Sequence, residues 1–254
     1  MDNSALLSGL PRSGITLLAS MLNKDDNIYV TTSSPFVEIL WRNFTLWDDP
    51  SYSGDCDTEN IRQAKLPFLR GLTEAYFTQL TDKPIVIDKR RSWQSAYNIE
   101  MYRDVYGNFP KIICPVRSVT EIITSYKVLY KANGTEWNYE RLKSNMFESS
   151  YSDFATGYEK YPECFLLVEY DDLVDKPHET LSGVYDFIGA DMPEQNFDLV
   201  EASEDEGNHG IHGLHTLRTT LSKDTAIPQE VLTEEEFEKF STWDFWRTPL
   251  TGLD

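Results

Sequence analysis

The sequence predicts an α/β fold, specifically a three-layer α/β/α sandwich with a central parallel sheet. Short runs rich in Ile, Val and Leu alternate along the chain with longer segments of helical periodicity. The short runs do not alternate between apolar and polar residues, which is typical of strands buried on both faces of a parallel sheet. Right-handed crossovers between such strands place helices on both faces of the sheet.

The elements follow one another in a simple order. Strands are predicted at Ala5–Ser8, Ile85–Asp88, Lys111–Val116 and Phe165–Glu169. Helices are predicted at Gly14–Leu22, Pro35–Trp47, Glu59–Leu80, Trp93–Tyr106, Val119–Lys131, Tyr139–Tyr161 and His178–Ile188. Ligands of open α/β sheets bind at the carboxyl ends of the strands, so the functional site is expected there.

The chain is predicted to be one domain over residues 1–254, with residues 190–254 forming a lid loop and a C-terminal appendage. Hydrophobic residues make up 40% of the chain, which is enough to build a core. Asp48–Asp57 is predicted to be a polar loop. Glu234–Phe240 is predicted to be a short acidic helix, and the aromatic residues that follow it are expected to dock on the body.

The formal net charge of −19 limits the partners that this surface can attract. It repels nucleic acid and anionic membranes, so neither is an expected partner, and an anionic ligand requires a local basic pocket. No signal segment or membrane-length apolar run is evident, and the three cysteines are scattered. These features predict reduced thiols and a cytoplasmic protein.

The most informative segment runs from Ser8 to Leu17, directly after the first predicted strand. Its spacing Gly-x4-Gly-x-Thr nearly matches a nucleotide-triphosphate loop. Gly9 and Gly14 permit a tight turn, and the following helix points its positive end at the same anion. Ile15 stands where a kinase or ATPase carries Lys, and the cation is Arg12 instead. The segment therefore predicts a P-loop nucleotide-hydrolase-like fold whose loop is not built around a magnesium triphosphate.

A second anion site is predicted at the end of the third strand. The strand delivers Arg117 to its carboxyl end, and Ser125 lies eight residues later, about two helical turns along the next helix. The guanidinium and the hydroxyl are then able to grip one phosphate together. The alternative is that Arg117 pairs with a neighbouring acid.

Together these segments resemble the sulfotransferase family that uses 3′-phosphoadenosine 5′-phosphosulfate (PAPS), in its bacterial and tyrosylprotein-sulfotransferase-like branch. The resemblance covers roughly residues 4 to 190. Val116-Arg117 with Ser125 resembles the 3′-phosphate site, Asp88-Lys89 resembles the strand end that carries an active-site Lys, and Val168–Val174 resembles the "YEDL" segment, which contributes Tyr170. The 5′-phosphosulfate loop of the family is matched by Gly9, Leu10, Pro11, Arg12, Ser13, Gly14, Ile15 and Thr16.

The resemblance implies a sulfotransferase that moves a sulfuryl group from PAPS to an acceptor hydroxyl by in-line transfer without a metal. Negative charge builds on the leaving phosphate oxygen, and Arg12 and Lys89 are expected to stabilise it. Whether the acceptor is a sugar, a phenol or a peptide Tyr stays open. The aromatic-rich stretch Pro35–Tyr52 is suited to line an acceptor pocket, but it is expected to be core.

The general base is not settled by the sequence. The position at which tyrosylprotein-type members carry a catalytic Glu falls in Thr31–Ser34, which has no carboxylate. Glu38 is the next acid, and Asp88 is a further candidate. His215, or one of the two other His in the Gly207–Lys223 segment, is an alternative base whose ordinary pKa suits proton abstraction.

The Gly207–Lys223 segment is also the predicted lid. The family closes over the nucleotide with a late loop that contributes a basic residue, and Arg218 or Lys223 fits that role. The three His lie among glycines and lack a completing Cys or carboxylate, so no metal site is predicted.

Two other functions remain open at the level of sequence. One is a P-loop nucleotide or nucleoside kinase, supported by the loop and by two apolar runs that resemble a metal-binding strand; Ile15 counts against it. The other is a non-catalytic protein that binds PAPS or its product 3′-phosphoadenosine 5′-phosphate (PAP). This alternative remains because the sequence does not identify a general base.

Overall fold

The computed structural model describes residues 4–53, 59–142, 147–194, 221 and 226–247. Its strands are β1 (Ala5–Leu7), β2 (Ile28–Val30), β3 (Ile85–Lys89), β4 (Ile112–Val116) and β5 (Phe165–Glu169). They form a five-stranded sheet in the order β2-β3-β1-β4-β5. Every pairing in this sheet is parallel, which confirms the predicted α/β fold with a central parallel sheet.

The helices that the structure describes are α1 (Ile15–Leu22), α2 (Phe36–Leu46), α3 (Pro50–Ser53), α4 (Glu59–Thr78), α5 (Ala96–Tyr106), α6 (Val119–Ala132), α7 (Tyr139–Leu142), α8 (Glu148–Lys160), α9 (Tyr170–Asp175), α10 (Pro177–Ile188), α11 (Pro228–Val231) and α12 (Glu234–Ser241). Short 3₁₀ turns lie at Arg91–Gln94, Pro162–Cys164 and Phe245–Arg247. None of the described helices combines the length and the apolar character that a bilayer span needs.

The sheet is buried on both faces, as its apolar runs predict. Leu6 and Ile112 face a core built with α2, α4, α5, α6 and α8. Leu7, Ile87 and Ile113 face a second core built with α1, α9 and α10. Because successive strand residues point to opposite faces, a short strand such as β1 contributes to both cores.

The strand order indicates where along the sheet a ligand crevice is expected. The chain runs from β1 to β2 and β3 on one side of the sheet, then crosses to β4 and β5 on the other. The connection that leaves β1 runs toward β2, whereas the connection that leaves β4 runs toward β5, so the two diverge at the adjacent carboxyl ends of β1 and β4. Such a switch point is where open α/β sheets form a ligand crevice, and the glycine-rich loop begins there.

The elements depart from the predicted ones in several places. Strand β2 was not predicted, because its three residues lie between the polar residues Asn27 and Thr31 and form no distinct apolar run. Helix α3 lies within the predicted polar loop Asp48–Asp57, and α9 follows β5 without a gap. The predicted helix Tyr139–Tyr161 contains α7 and α8, with residues 143–146 between them outside the described ranges.

The predicted helix Trp93–Tyr106 also begins later than expected. Trp93 belongs to a 3₁₀ turn, and α5 starts at Ala96. The reason is local, because the Ser95 hydroxyl accepts a hydrogen bond from the Asn98 backbone N–H and so caps the helix.

The described part of the C-terminal appendage packs on the body of the protein. Helix α12 begins with a capping box between Thr233 and Glu236, which confirms the predicted acidic helix. Glu236 also accepts a hydrogen bond from Lys127 of α6 at 2.7 Å. The backbone oxygen of Trp243 accepts one from the Tyr151 hydroxyl at 2.8 Å. The appendage is therefore tied to both α6 and α8.

Candidate active site

The loop after β1 has the conformation of a tight cradle. Gly9, Arg12 and Gly14 have backbone φ angles of 142°, 68° and 103°. A Cβ atom at Gly9 would lie 3.0 Å from the backbone oxygen of Pro115, so the loop presses against β4 where only glycine fits. Arg12 is the non-glycine residue with positive φ among the described residues. A strained arginine inside such a loop indicates a functional constraint on its side chain.

The interior of the loop presents hydrogen-bond donors that the protein leaves unused. Ser13 is fully buried, and its hydroxyl has no hydrogen-bond partner among the described residues. Gly14 caps α1 through its backbone conformation, with no side-chain hydrogen bond to the first turn. A buried hydroxyl and a helix N-terminus without a side-chain cap together fit a bound phosphate or sulfate.

Arg12 connects this loop with the second predicted anion site. Its Nε donates a hydrogen bond to the Ser125 hydroxyl of α6 at 3.1 Å. The two residues are 113 positions apart in the chain. The sequence assigned them to different phosphate groups, and the structure places them in direct contact.

Arg117 lies at the end of β4, as predicted, and only 7% of it is exposed. Its guanidinium stacks over the ring of Tyr170, 4.4 Å from the ring centroid. Its Nε also lies 3.5 Å from Glu121 Oε2, without forming a hydrogen bond. The alternative that Arg117 pairs with a neighbouring acid is therefore also realised, but the pairing leaves hydrogen-bonding capacity for a ligand.

Tyr170 fills the space between Arg117 and the loop. A Cβ atom at Gly14 would lie 2.8 Å from Tyr170 Cδ2. The ring thus contacts the loop backbone on one side and the Arg117 guanidinium on the other. Tyr170 therefore supports both predicted anion sites, although the sequence placed it with them only by family resemblance.

Lys89 is at the same edge of the sheet as the loop. It pairs in register with Leu7, the last residue of β1. The next residue, Arg90, donates its backbone N–H to the Leu7 oxygen at 3.0 Å, and Ser8 donates its hydroxyl to the Arg91 backbone oxygen at 2.8 Å. A run of three basic residues therefore leaves β3 directly beside the start of the loop.

Arg91 is a candidate site residue that sequence reasoning did not assign to the site. Desolvation by burial lowers the pKa of its guanidinium, an effect that the neighbouring Tyr126 opposes. Burial raises the pKa of Tyr126 to about 12, and the charges of Arg91 and Arg12 counteract that rise. Arg91 thus belongs to the same electrostatic cluster as the loop arginine. The signal was a basic triplet at a strand end in a strongly acidic chain.

Glu38 faces the same edge from α2. Its Oε1 accepts hydrogen bonds from Arg90 Nε at 2.8 Å and from the Ser92 hydroxyl at 3.2 Å. Its Oε2 is buried and has no hydrogen-bond partner among the described residues. The protein therefore fixes the carboxylate through one oxygen and leaves the hydrogen-bonding capacity of the other oxygen unused.

Asp88 does not face the cleft. Its oxygens accept hydrogen bonds from Trp93 Nε1 at 2.7 Å and from the Thr31 hydroxyl at 3.1 Å, and only 2% of the residue is exposed. Burial raises the pKa of its carboxyl group. The Thr31 hydroxyl in turn accepts the backbone N–H of Lys89 at 2.7 Å. Asp88 therefore fixes the end of β3 from within the core, and the hypothesis that it is the base finds no support in this geometry.

Several predicted residues lie outside the described residues. His215 and Arg218 are among them, with the rest of the Gly207–Lys223 segment apart from Leu221. Their roles, and the lid, stay predictions. In the ranges that the structure does describe, no group of three or more His, Cys, Asp or Glu side chains is arranged to hold a metal ion.

The fold and the site together define an α/β protein with two adjoining candidate anion sites at the carboxyl edge of its sheet. Residues 5–194 match the family model described as "Sulfotransferase family". This match spans well over half of the chain and contains the loop, Lys89, Arg117, Ser125 and Tyr170. The protein belongs to the sulfotransferase family.

A solved structure supports the same fold, and a second one is also similar to this chain. A sulfotransferase domain from the curacin biosynthetic pathway superposes with a TM-score of 0.53 at 17% identity, covering 94% of this chain and 96% of that one. A sulfotransferase domain from the Synechococcus PCC 7002 olefin synthase gives 0.49 at 19% identity, covering 94% and 86%. No curated protein matches the chain.

Proposed function

We propose that the protein transfers a sulfuryl group from PAPS to an acceptor hydroxyl without a metal ion. The observation that carries this proposal is the contact between Arg12 and Ser125, which joins a phosphate cradle to a second basic site. A ligand with one phosphate needs only the cradle. Two adjoining anion sites fit a nucleotide that carries a 5′-phosphosulfate and a separate 3′-phosphate.

The residues divide between the two ends of this nucleotide. The buried Ser13 hydroxyl and the backbone N–H groups of Gly9, Gly14, Ile15 and Thr16 would hold the 5′-phosphosulfate. Pro11 has no backbone N–H and would instead restrict the conformation of the loop. Arg117 and Ser125 would hold the 3′-phosphate through charge-assisted hydrogen bonds. Arg218 is proposed, from the sequence alone, to add a contact from the late loop.

Bound PAPS supplies the activated sulfuryl group. Arg12 and Lys89 stabilise the negative charge that grows on the oxygen between phosphorus and sulfur. Both lie at the edge of the sheet where the loop begins, and Asp88 with Thr31 holds the backbone of Lys89 in place. These cations act most strongly in the transition state, since the charge is largest there.

The acceptor hydroxyl must lose its proton to a base. Glu38 is the candidate that the described geometry supports, because Arg90 and Ser92 fix one carboxylate oxygen and Oε2 has no hydrogen-bond partner among the described residues. His215 remains the second candidate from the sequence. The acceptor stays within the hydroxyl-bearing classes of sugar, phenol and peptide Tyr. The proposed location is cytoplasmic, which the buried and unpaired thiols of Cys114 and Cys164 support.

Calorimetry and labelled transfer test the proposal. PAP is expected to bind in the presence of a chelator, whereas ATP with magnesium binds far more weakly. Lys89→Ala and Arg12→Ala are expected to lower turnover of labelled sulfate at least 100-fold, with less than a 10-fold loss in PAP affinity. Preferential binding of ATP with magnesium would favour the kinase alternative. Tight PAP binding without any sulfate transfer, tested across sugars, phenols and Tyr peptides, would favour the non-catalytic binder.

The base assignment has its own matched pair of variants. Glu38→Gln keeps the shape of the side chain but removes its basicity, so turnover is expected to fall by roughly 100-fold or more, within the usual range for a general base. Glu100→Gln is the control, because Glu100 also forms an ion pair, in this case with Lys160. Lys160 is the last residue of α8, which precedes β5, so this pair lies at the opposite edge of the sheet. Equal activity of both variants would move the base assignment to His215.

A further inference from the structure

Aromatic rings are exposed beside Glu38, on α2 and at the start of α5. Trp41 is 36% exposed and Tyr97 is 71% exposed. Their ring centroids are 6.2 Å apart at an interplanar angle of 68°, and Phe44 stacks on Trp41 at 6.4 Å and 24°. We call Trp41, Phe44 and Tyr97 the aromatic shelf. Scattered apolar residues are common on protein surfaces, but a contiguous aromatic group indicates a binding surface.

The shelf corrects part of a sequence expectation. The aromatic-rich stretch from Pro35 to Tyr52 was expected to be core, and Phe36 is indeed 1% exposed within it. Trp41 lies on the outer side of the same helix and is open to solvent. Core packing therefore explains Phe36 but not Trp41.

The shelf is continuous with the candidate active site. Trp41 follows Glu38 by three residues on α2, so the two side chains lie on one helix face a turn apart. Tyr97 lies five residues after Ser92, whose hydroxyl donates to Glu38. A ligand that rests on the rings of Trp41 and Tyr97 therefore extends toward the carboxylate of the proposed base.

We propose that the aromatic shelf holds a neutral sugar of the acceptor, with the reacting hydroxyl directed at Glu38. This inference rests on the proposed function and names its acceptor class. A sugar ring offers a C–H face to the π face of an aromatic ring and hydroxyl groups at its rim. The polar groups next to the shelf, on Glu38, Arg90, Ser92 and Ser33, provide the acceptors and donors that ring hydroxyls require.

The other acceptor classes fit this surface less well. A small phenol is normally enclosed by an apolar pocket that buries most of its surface, and the rings of Trp41 and Tyr97 form an open surface instead. The described cavity near this edge lies inside the core beneath Asp88, lined by Thr73, Trp93 and Tyr106 among others. A polysulfated chain is repelled by the net charge of −19.

Saturation-transfer NMR with three neutral disaccharides (maltose, cellobiose and lactose) tests the proposal in the presence of PAP. At least one disaccharide is expected to receive saturation from the protein and to accept labelled sulfate. Trp41→Ala and Tyr97→Ala are each expected to weaken sugar binding about 5- to 10-fold, the scale of an aromatic contact. Trp41→Phe, which keeps a ring, is expected to lose less. PAP affinity in the same samples is expected to stay within 2-fold of the unmodified protein.

Phe68→Ala is the matched control, since Phe68 is an exposed aromatic residue on α4 at 48% exposure that contacts Trp47 and not the shelf. It is expected to leave sugar binding unchanged. Transfer only to phenols or Tyr peptides, or sugar binding that Trp41→Ala does not alter, would overturn the acceptor class while leaving the sulfotransferase proposal intact. If the unmodified protein failed to bind PAP, the proposed function itself would be overturned, and the acceptor proposal with it.

Discussion

A single side chain, Tyr170, lies between the two proposed anion sites. Its ring touches Gly14 of the loop and stacks on the guanidinium of Arg117. The stacking restricts the orientation of the guanidinium before any ligand arrives. A preorganised arginine loses less conformational entropy when it forms hydrogen bonds to phosphate.

The first prediction at this scale concerns the backbone of the loop. Gly14→Ala combines an unfavourable φ of 103° with a Cβ placed 2.8 Å from Tyr170. The substitution is expected to lower the free energy of unfolding by about 1–3 kcal/mol, the usual cost of such strain. Urea denaturation measures it.

Gly71→Ala is the control for this substitution. Gly71 lies within α4 with no atom within 4 Å of the added Cβ. The change is expected to stabilise the protein by about 0.5–1 kcal/mol through helix propensity. Equal effects of the two substitutions would show that the loop is not strained by the ring of Tyr170.

The second prediction concerns recognition of the 3′-phosphate. Arg117→Ala is expected to weaken PAP binding by about 1.5–3 kcal/mol, the scale of a charge-assisted hydrogen bond. Adenosine 5′-phosphosulfate, which has no 3′-phosphate, is expected to bind almost unchanged. Calorimetry with both ligands measures the difference, and equal losses would show that Arg117 does not read the 3′-phosphate.

At the scale of elements, the N-terminus of α6 is held by the C-terminal appendage. Asp244 Oδ1 accepts the backbone N–H of Val119 at 2.8 Å. Arg247 then forms an ion pair with Glu169 at 2.7 Å, at the end of β5. The appendage therefore bridges the ends of the two strands that deliver Arg117 and Tyr170.

The third prediction tests this bridge. Asp244→Ala removes the acceptor at the start of α6 and is expected to lower the free energy of unfolding by about 0.5–2 kcal/mol, the usual worth of a helix cap. Asp244→Asn keeps an oxygen in place and is expected to lose less. Thermal and urea unfolding of both variants measure the loss. If the two variants were as stable as the unmodified protein, the hydrogen bond to Val119 would contribute nothing to stability.

At the scale of the whole molecule, positive charge is concentrated where the ligand is expected. The chain has 23 basic and 42 acidic residues. The edge of the sheet gathers five of the basic ones, namely Arg12, Lys89, Arg90, Arg91 and Arg117. A local cluster of this kind is what an acidic protein requires in order to bind an anionic nucleotide.

The fourth prediction concerns the pH dependence of global stability. Burial raises the native pKa of Asp88 above its ordinary value of 3.8. As the pH rises above about 4, the unfolded chain releases this proton first, so the native state binds more protons and its stability falls through that window. Asp88→Asn stays neutral and is expected to lack this fall. Its advantage over the unmodified protein should therefore grow with pH until the native carboxyl group ionises.

Urea unfolding of the two proteins between pH 4 and pH 8 measures this difference. Asp49→Asn provides the opposite case, because hydrogen bonds from Ser51 lower the pKa of the Asp49 carboxyl group. If the advantage of Asp88→Asn shrank as the pH rose, the hydrogen bonds from Trp93 and Thr31 would outweigh the desolvation of the carboxylate.

Local information in the sequence was sufficient for the parts of the site that lie within one strand–turn–helix unit. The glycine-rich loop is such a unit, and so is the placement of Arg117 between the end of β4 and the start of α6. The four predicted strands also follow from local composition, since buried parallel strands are continuous apolar runs. In these cases the spacing along the chain already determines the geometry.

Only the tertiary structure decided which distant side chains meet. Arg12 contacts Ser125 across 113 positions, and Glu38 pairs with Arg90 across 52. Asp88 and Lys89 are neighbours in the sequence, yet one is buried under Trp93 and the other lies at the edge that carries the loop. Alternation along a strand sends adjacent residues to opposite faces, and the packing of α2 and α5 then determines which of those faces is core. The sequence alone therefore identifies the candidate site residues. The packing of the helices on the sheet determines which of these residues lie together at the site.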